Sequence, residues 1–330
     1  MNSSTSSSEQ SLRFITDRMT TISLFLLLVI GPFGCFCNIL TFTSKQLTKN
    51  PCAFYLLCTT IFELCIVCFG GVSRLAAEHF GDKLLSQNQF YCKLRSYLIT
   101  GMSTIATYSM LFTAIDRYMA TSARVRYRAF SQITIAHRMC IGIILVVMIV
   151  TLHVYIFFGL YPSCTPRPGV YAIFYSAYII IWTSLIPDGL ITVVALCTIK
   201  NTRDLRARAV MMRAANTSKQ RSIHRTDTHL LIMMVSQVLI SVSLDITRVT
   251  CYTYFFISGN TAHSSYQTLV NVFIFQFSNV LLYLNYSKSF YVYTLTSGLF
   301  RKIGYERVRN CWLKLSKMIQ RHDRVDPISQ

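Results

Sequence analysis

Charge is scarce in this chain. Only 14% of its 330 residues are charged, against about 25% in an ordinary soluble domain. Acidic residues are scarcer still, with 13 Asp and Glu against 32 Lys and Arg. A mean hydropathy of +0.43 points the same way. Together these exclude an ordinary water-soluble fold and indicate a membrane protein.

Other absences exclude activities. There is no His-Glu-x-x-His, no phosphate loop and no nucleophile elbow, so the common hydrolase and nucleotide-dependent chemistries have no foothold. Most of the 12 cysteines lie inside apolar runs, where Cys behaves as a small hydrophobe. Cys65 and Cys68 have metal-site spacing but sit within such a run. No enzyme activity, metal or cofactor is expected. The first 20 residues, "MNSSTSSSEQSLRFITDRMT", lack the basic start and apolar centre of a signal sequence. The first membrane segment is therefore expected to serve as the targeting signal. No internal inverted repeat of the transporter kind is visible.

What is present is length. Crossing a hydrocarbon core of about 30 Å takes about 20 helical residues. Seven spans qualify, at roughly 20–43, 52–74, 92–120, 136–160, 171–199, 227–257 and 266–295. They are too long and too uniformly apolar for the alternating strands of a membrane barrel. The expected fold is an all-α membrane protein, a seven-transmembrane helix bundle. It divides into a tail at 1–19, a membrane domain at 20–296 and a terminal segment at 297–330.

Basic residues orient the bundle. Lys45 and Lys49 follow span one, and Arg124, Arg126, Arg128 and Arg138 follow span three. Lys200, Arg203, Arg206, Arg208, Arg213, Lys219, Arg221 and Arg225 follow span five, and a further cluster from Arg301 to Arg324 follows span seven. The opposite connections hold Lys83, Arg167 and little else. The positive-inside rule then places the N-terminus outside and the C-terminus inside. The net charge of +19 becomes a cytoplasmic face attracted to anionic lipid, with no nucleic-acid partner expected. Asn2 opens an outer glycosylation sequon. A second sequon at Asn216 falls in an inner loop and is expected to stay unmodified.

Arg117 follows Cys92 by 25 residues, about 37 Å of helix and one tilted crossing. Cys92 then sits at the outer mouth and Arg117 at the inner one. Cys164 lies in the outer loop after span four, so a Cys92–Cys164 disulfide is expected in that oxidising compartment. Two unpaired thiols are the alternative.

A seven-helix chain with this Cys pair and Asp116-Arg117-Tyr118 ending helix three resembles a rhodopsin-like G-protein-coupled receptor. Gly34 and Asn38 resemble the family's helix-one pattern, and Pro187 its helix-five proline. "FYLLCTTIFEL" resembles the helix-two stretch, with Glu63 in place of its Asp. The family's Asn-Pro-x-x-Tyr fits in two partial registers, one ending on Tyr283 and one on Tyr293. In both, a Phe follows the Tyr by seven residues as in the family, Phe290 in the first and Phe300 in the second; the second lacks both Asn and Pro but has the better downstream segment. It also leads into a short amphipathic eighth helix, with Phe300, Ile303, Val308, Trp312 and Leu315 sharing an apolar side. Such a helix lies on the membrane surface, and Cys311 is a palmitoylation candidate there.

The departures are as specific as the matches. Helix six lacks the family's Cys-Trp-x-Pro, with Thr247 near the proline position. Ala195 replaces a helix-five Tyr, and helix four lacks its Trp. The same alignment puts Asp227 where the family often has an acid facing the helix-three Arg.

Ionisable groups inside a membrane are costly and mark candidate sites. Asn38, Glu63, Asn285 and Lys288 form one. The family's acid at the Glu63 position binds sodium, but Ala106 removes a supporting Ser. Lys288 either pairs with Glu63 or snorkels to water. Asp245 and Arg248 share a face of helix six, as a ligand contact or as a mutually neutralising pair. Ile99 stands where amine receptors of the family carry Asp, which argues against a monoamine. In the Tyr293 register Tyr283 stands where opsins carry their Lys. A peptide fits better, and Tyr97, Ile99, Thr100, Ser103, Trp182, Asp245, Arg248 and Tyr252 are the expected pocket.

The resemblance implies a plasma-membrane receptor for an extracellular ligand, most simply a neuropeptide-like peptide. Its partners would be a heterotrimeric G protein and membrane lipid. Asp116, Arg117, Tyr118, Asp227 and Tyr293 would form the switch. The competing readings are a non-signalling receptor-like scaffold and a transporter.

Overall fold

In a computed structural model the described residues are 2–80, 84–161, 164–211, 218–258 and 264–325. Among them, seven helices are long and apolar enough to cross a membrane: Ser7–Phe42, Pro51–Glu78, Gln89–Thr121, Ile133–Phe157, Val170–Asp204, Thr228–Ser258 and Ser265–Ser287. They are called spans one to seven below. Span three runs through the middle, with 56% of its most apolar stretch buried, against 28% for span four. The exposed side of span four is a stripe of Ile141, Leu145, Val146, Ile149, Leu152 and Ile156. That helical spacing marks a face for lipid tails rather than water.

Local chemistry explains the ends. Asn50 caps span two, its side chain accepting from the Cys52 amide at 3.0 Å, with Pro51 in the first turn. Asn88 caps span three in the same way. Ser264 and Gln267 form a reciprocal capping box at the start of span seven. Span two widens into a π-helical stretch at Ile66–Gly71. Span five does so at Tyr178–Leu185, just before Pro187. Proline has no N–H and its ring crowds the preceding turn, so a widened turn accommodates it.

Both ends of the chain are helical among the described residues. The tail at 1–19 is helical from Asn2 and continuous with span one; no Gly or Pro interrupts the chain before Gly31. The eighth helix is 28 residues long, Gly298–Val325, rather than short. Phe300 and Ile303 are buried under the bundle, while Val308 and Trp312 are exposed. Arg307 ties it to span one, donating to the Leu40 and Thr43 carbonyls at 3.2 and 3.1 Å.

Spans one and seven approach closely because of glycine. A Cβ on Gly34 would stand 2.9 Å from the Phe290 Cβ, and one on Gly31 would stand 2.6 Å from the Ser287 Oγ. Small residues at such crossings let backbones pack without a hydrophobic drive. Span seven ends at Ser287, and a further helix, Ser289–Thr296, follows Lys288.

A two-stranded hairpin covers one mouth. β1 (Phe158–Leu160) pairs antiparallel with β2 (Cys164–Pro166). Cys164 is disulfide-bonded to Cys92 at the start of span three, with the Cα atoms 5.6 Å apart.

Candidate functional site

At the end of the bundle opposite the disulfide, span three presents Asp116 and Arg117, 2% and 3% exposed. The Arg117 guanidinium donates to the Asp116 carboxylate through Nη2 at 2.6 Å and Nε at 3.1 Å. The other Asp116 oxygen accepts from Ser131 at 2.6 Å. Arg117 Nη2 also donates to Asn50 Oδ1 at 3.3 Å. So the pair is fastened to both neighbouring loops, which is how a buried charge pair must be satisfied. Tyr118 is half-buried beside it. The side chains of Asn2, Asp227 and Cys311 lie outside the described residues.

Tyr293 is close to this end and fully buried. Its ring meets Phe42 and Phe300 edge-on, both at 5.7 Å. Its hydroxyl has no hydrogen-bond partner among the described residues. Tyr283 packs instead in a separate cluster with Ile66, Val67 and Ala106.

The intramembrane polar residues form two links rather than one. Asn38 donates to Ser289 Oγ at 3.0 Å, and Ser289 donates to Glu63 at 2.7 Å. This joins spans one and two to the helix that continues span seven. Lys288 does not pair with Glu63. Its ammonium donates to the Ser241 hydroxyl at 2.8 Å, to the Asn285 carbonyl at 2.7 Å and to the Asn285 side chain. The helix turn at Lys288 aims Nζ at span six, while Ser289, one residue on, faces span two. The two charges stay close enough to act on each other through space. Lys288 is buried, so it does not snorkel to water either.

A cavity of about 660 Å³ opens beneath the hairpin and reaches down to Glu63. Ile99, Thr100, Ser103, Asp245, Arg248 and Tyr252 line it as expected. Tyr97 and Trp182 do not. The Tyr97 ring meets Tyr155 edge-on and its hydroxyl donates to the Met148 carbonyl of span four at 3.1 Å. Two residues before Ile99, it lies about 200° round the helix from it. Trp182 lies in the widened turn of span five, 37% exposed and beside Tyr108. The sequence reading missed Tyr175, Asp188, Gln237, Asn279 and Tyr286. Asp188 had a signal, being an acid inside an apolar run next to Pro187.

Arg248 donates to Asp245 at 2.6 Å and to Ser184 at 2.7 Å. The Asp188 and Asp245 carboxyl groups are within hydrogen-bonding reach of each other. Arg248 and Asp245 thus neutralise each other as an ion pair, and the pair stands on the cavity wall.

Residues 6–288 match the profile described as 7 transmembrane receptor (rhodopsin family). The chain belongs to that family. No curated protein is detectably similar to it in sequence. The family makes this chain a multi-pass plasma-membrane receptor that takes an extracellular ligand and signals through G proteins. In the receptor the match ends at Lys288, one residue before the Ser289 that bonds Glu63.

Proposed function

We propose that this receptor binds a peptide in the cavity under the hairpin and relays it to Arg117. The N-terminus and the disulfide mouth face outward; the eighth helix and the tail at 297–330 face the cytoplasm. The basic loops after spans one, three and five support this orientation, because Lys and Arg stay on the inner side. A peptide that inserts one side chain and its neighbours is supported by a cavity whose wall mixes Asp188, Asp245 and Arg248 with Tyr175, Tyr252 and Phe275.

The observation that carries the mechanism is the Arg117 clasp. At rest Arg117 is held by Asp116 and Asn50, with Asp227 as a further partner. A ligand that prefers the open bundle shifts the population toward it. Span six moves away, Arg117 is released, and a G-protein helix enters. Tyr118 borders that gap, and Tyr293 is the family's signature Tyr and packs where the gap opens. Asn38, Glu63, Asn285 and Lys288 tie the spans that must shift. Asn2 carries the outer glycan, and Cys311 carries the lipid anchor on the inner side.

A peptide library applied to cells expressing the receptor, with second-messenger readout, tests this. Ligand-driven signalling that disappears in Arg117→Ala supports it. Signalling preserved in Arg117→Ala at equal surface expression overturns it.

A further inference from the structure

The cavity wall has more acceptors than its own donors satisfy. Among the described residues that line it, Glu63, Asp188 and Asp245 are acids and Arg248 is the sole base. Arg248 is committed to Asp245 and Ser184. Glu63 is taken by Ser289. Lys288 directs its donors to Asn285 and Ser241. Asp188 is left facing another carboxyl group, that of Asp245.

A second observation points the same way. Gln237, about two turns before Asp245 on span six, lines the same cavity and is 1% exposed. Its amide oxygen has no hydrogen-bond partner among the described residues. A buried acceptor without a donor is costly. An amide oxygen without a donor and two carboxyl groups that share one guanidinium lie in the same cavity, and both are met by a group that donates. Guanidinium and ammonium groups are the charged side chains of that kind.

From this we infer that the ligand carries a basic group, an Arg or Lys side chain or an amine, which seats on Asp188. This rests on the cavity being the ligand site, as proposed above, and adds what the ligand must present. The anchor is on span five, so the apolar Ile99 of span three does not count against a cationic ligand. Tyr175, Tyr252 and Tyr286 line the same cavity, and an aromatic face attracts a cation. A cavity of about 660 Å³ admits a side chain and its neighbours rather than a whole peptide.

The test uses purified full-length receptor in lipid nanodiscs and two probes, N-acetyl-Phe-Arg-amide and N-acetyl-Phe-citrulline-amide. They match in shape, and only the first is charged. Thermal melting is followed against probe concentration. The arginine probe is expected to raise the melting temperature and to reach a given shift at about tenfold lower concentration or better than the citrulline probe, as a charge-assisted bond implies. Asp188→Asn should erase that difference, and Asp188→Glu should keep part of it. Equal shifts from both probes, no shift from either, or an undiminished difference in a folded Asp188→Asn would overturn the inference. If Asp188→Asn fails to fold, Gln237→Leu serves, with a weakened preference for arginine expected and an unchanged one counting against it. Melting does not depend on coupling, so an arginine preference that persists while Arg117→Ala still signals would refute the proposed relay alone.

Discussion

One oxygen of Asn50 serves both the second span and Arg117. Oδ1 accepts from the Cys52 amide at 3.0 Å, capping the helix, and from Arg117 Nη2 at 3.3 Å. The loop that starts span two is thereby tied to the buried charge at the end of span three. Asn50→Ala should cost about 1 kcal/mol through the lost cap and raise basal G-protein activation. Asn50→Asp keeps the cap and adds charge to the tie, so basal activation should fall below wild type. A rise in both variants would show that this contact does not restrain Arg117.

Arg117→Ala is expected to abolish signalling while surface expression persists. Asp116→Asn weakens the 2.6 Å ion pair and should raise basal activity, as should Asp227→Ala. Basal second-messenger levels at matched expression are the measurement. No change in either acid variant would argue against a lock.

Gly34→Ala and Gly31→Ala should differ. The first meets the Phe290 Cβ at 2.9 Å, which is fixed to the backbone, whereas the second's nearest atom is a Ser287 hydroxyl that can rotate away, leaving Val67 at 3.1 Å and the Ser287 Cβ at 3.2 Å. Overpacking of the first kind costs about 1–3 kcal/mol. Melting of the purified receptor should therefore fall clearly for Gly34→Ala and less for Gly31→Ala; the reverse order would place the tight crossing elsewhere.

Ser289→Ala removes the hydroxyl between Asn38 and Glu63. Two buried polar groups lose a partner, which costs about 1–3 kcal/mol for each group left unsatisfied. Ser289→Asn, which can both donate and accept, should restore part of the melting temperature.

The Cys92–Cys164 bond closes a separation of 72 residues. By loop entropy that is worth about 4 kcal/mol. Replacing both cysteines with Ser should sharply reduce the folded receptor at the cell surface. Unreduced peptide mapping that found two free thiols would remove the basis for this.

The order and number of spans could be read from residue types alone, because apolar length is all that a membrane crossing requires. The same holds for the pairing of Cys92 with Cys164, since 25 residues of helix separate Cys92 from Arg117 and leave the two cysteines on one side. Helix faces were partly legible. Ile99, Thr100 and Ser103 share a side by simple periodicity and do line the cavity. Trp182 does not, since the widened turn before Pro187 breaks the periodicity that would have placed it. Nor does spacing say which partner a flexible side chain takes. Lys288 and Glu63 are complementary in charge, yet the helix turn at Lys288 sends its ammonium to Ser241 and leaves Glu63 to Ser289. Asp188 met Asp245 and Arg248 only through the packing of span five against span six. Hydrophobic pattern is a property of each segment by itself. Which charges meet depends on rotation and register between segments, and those are decided only when the bundle packs.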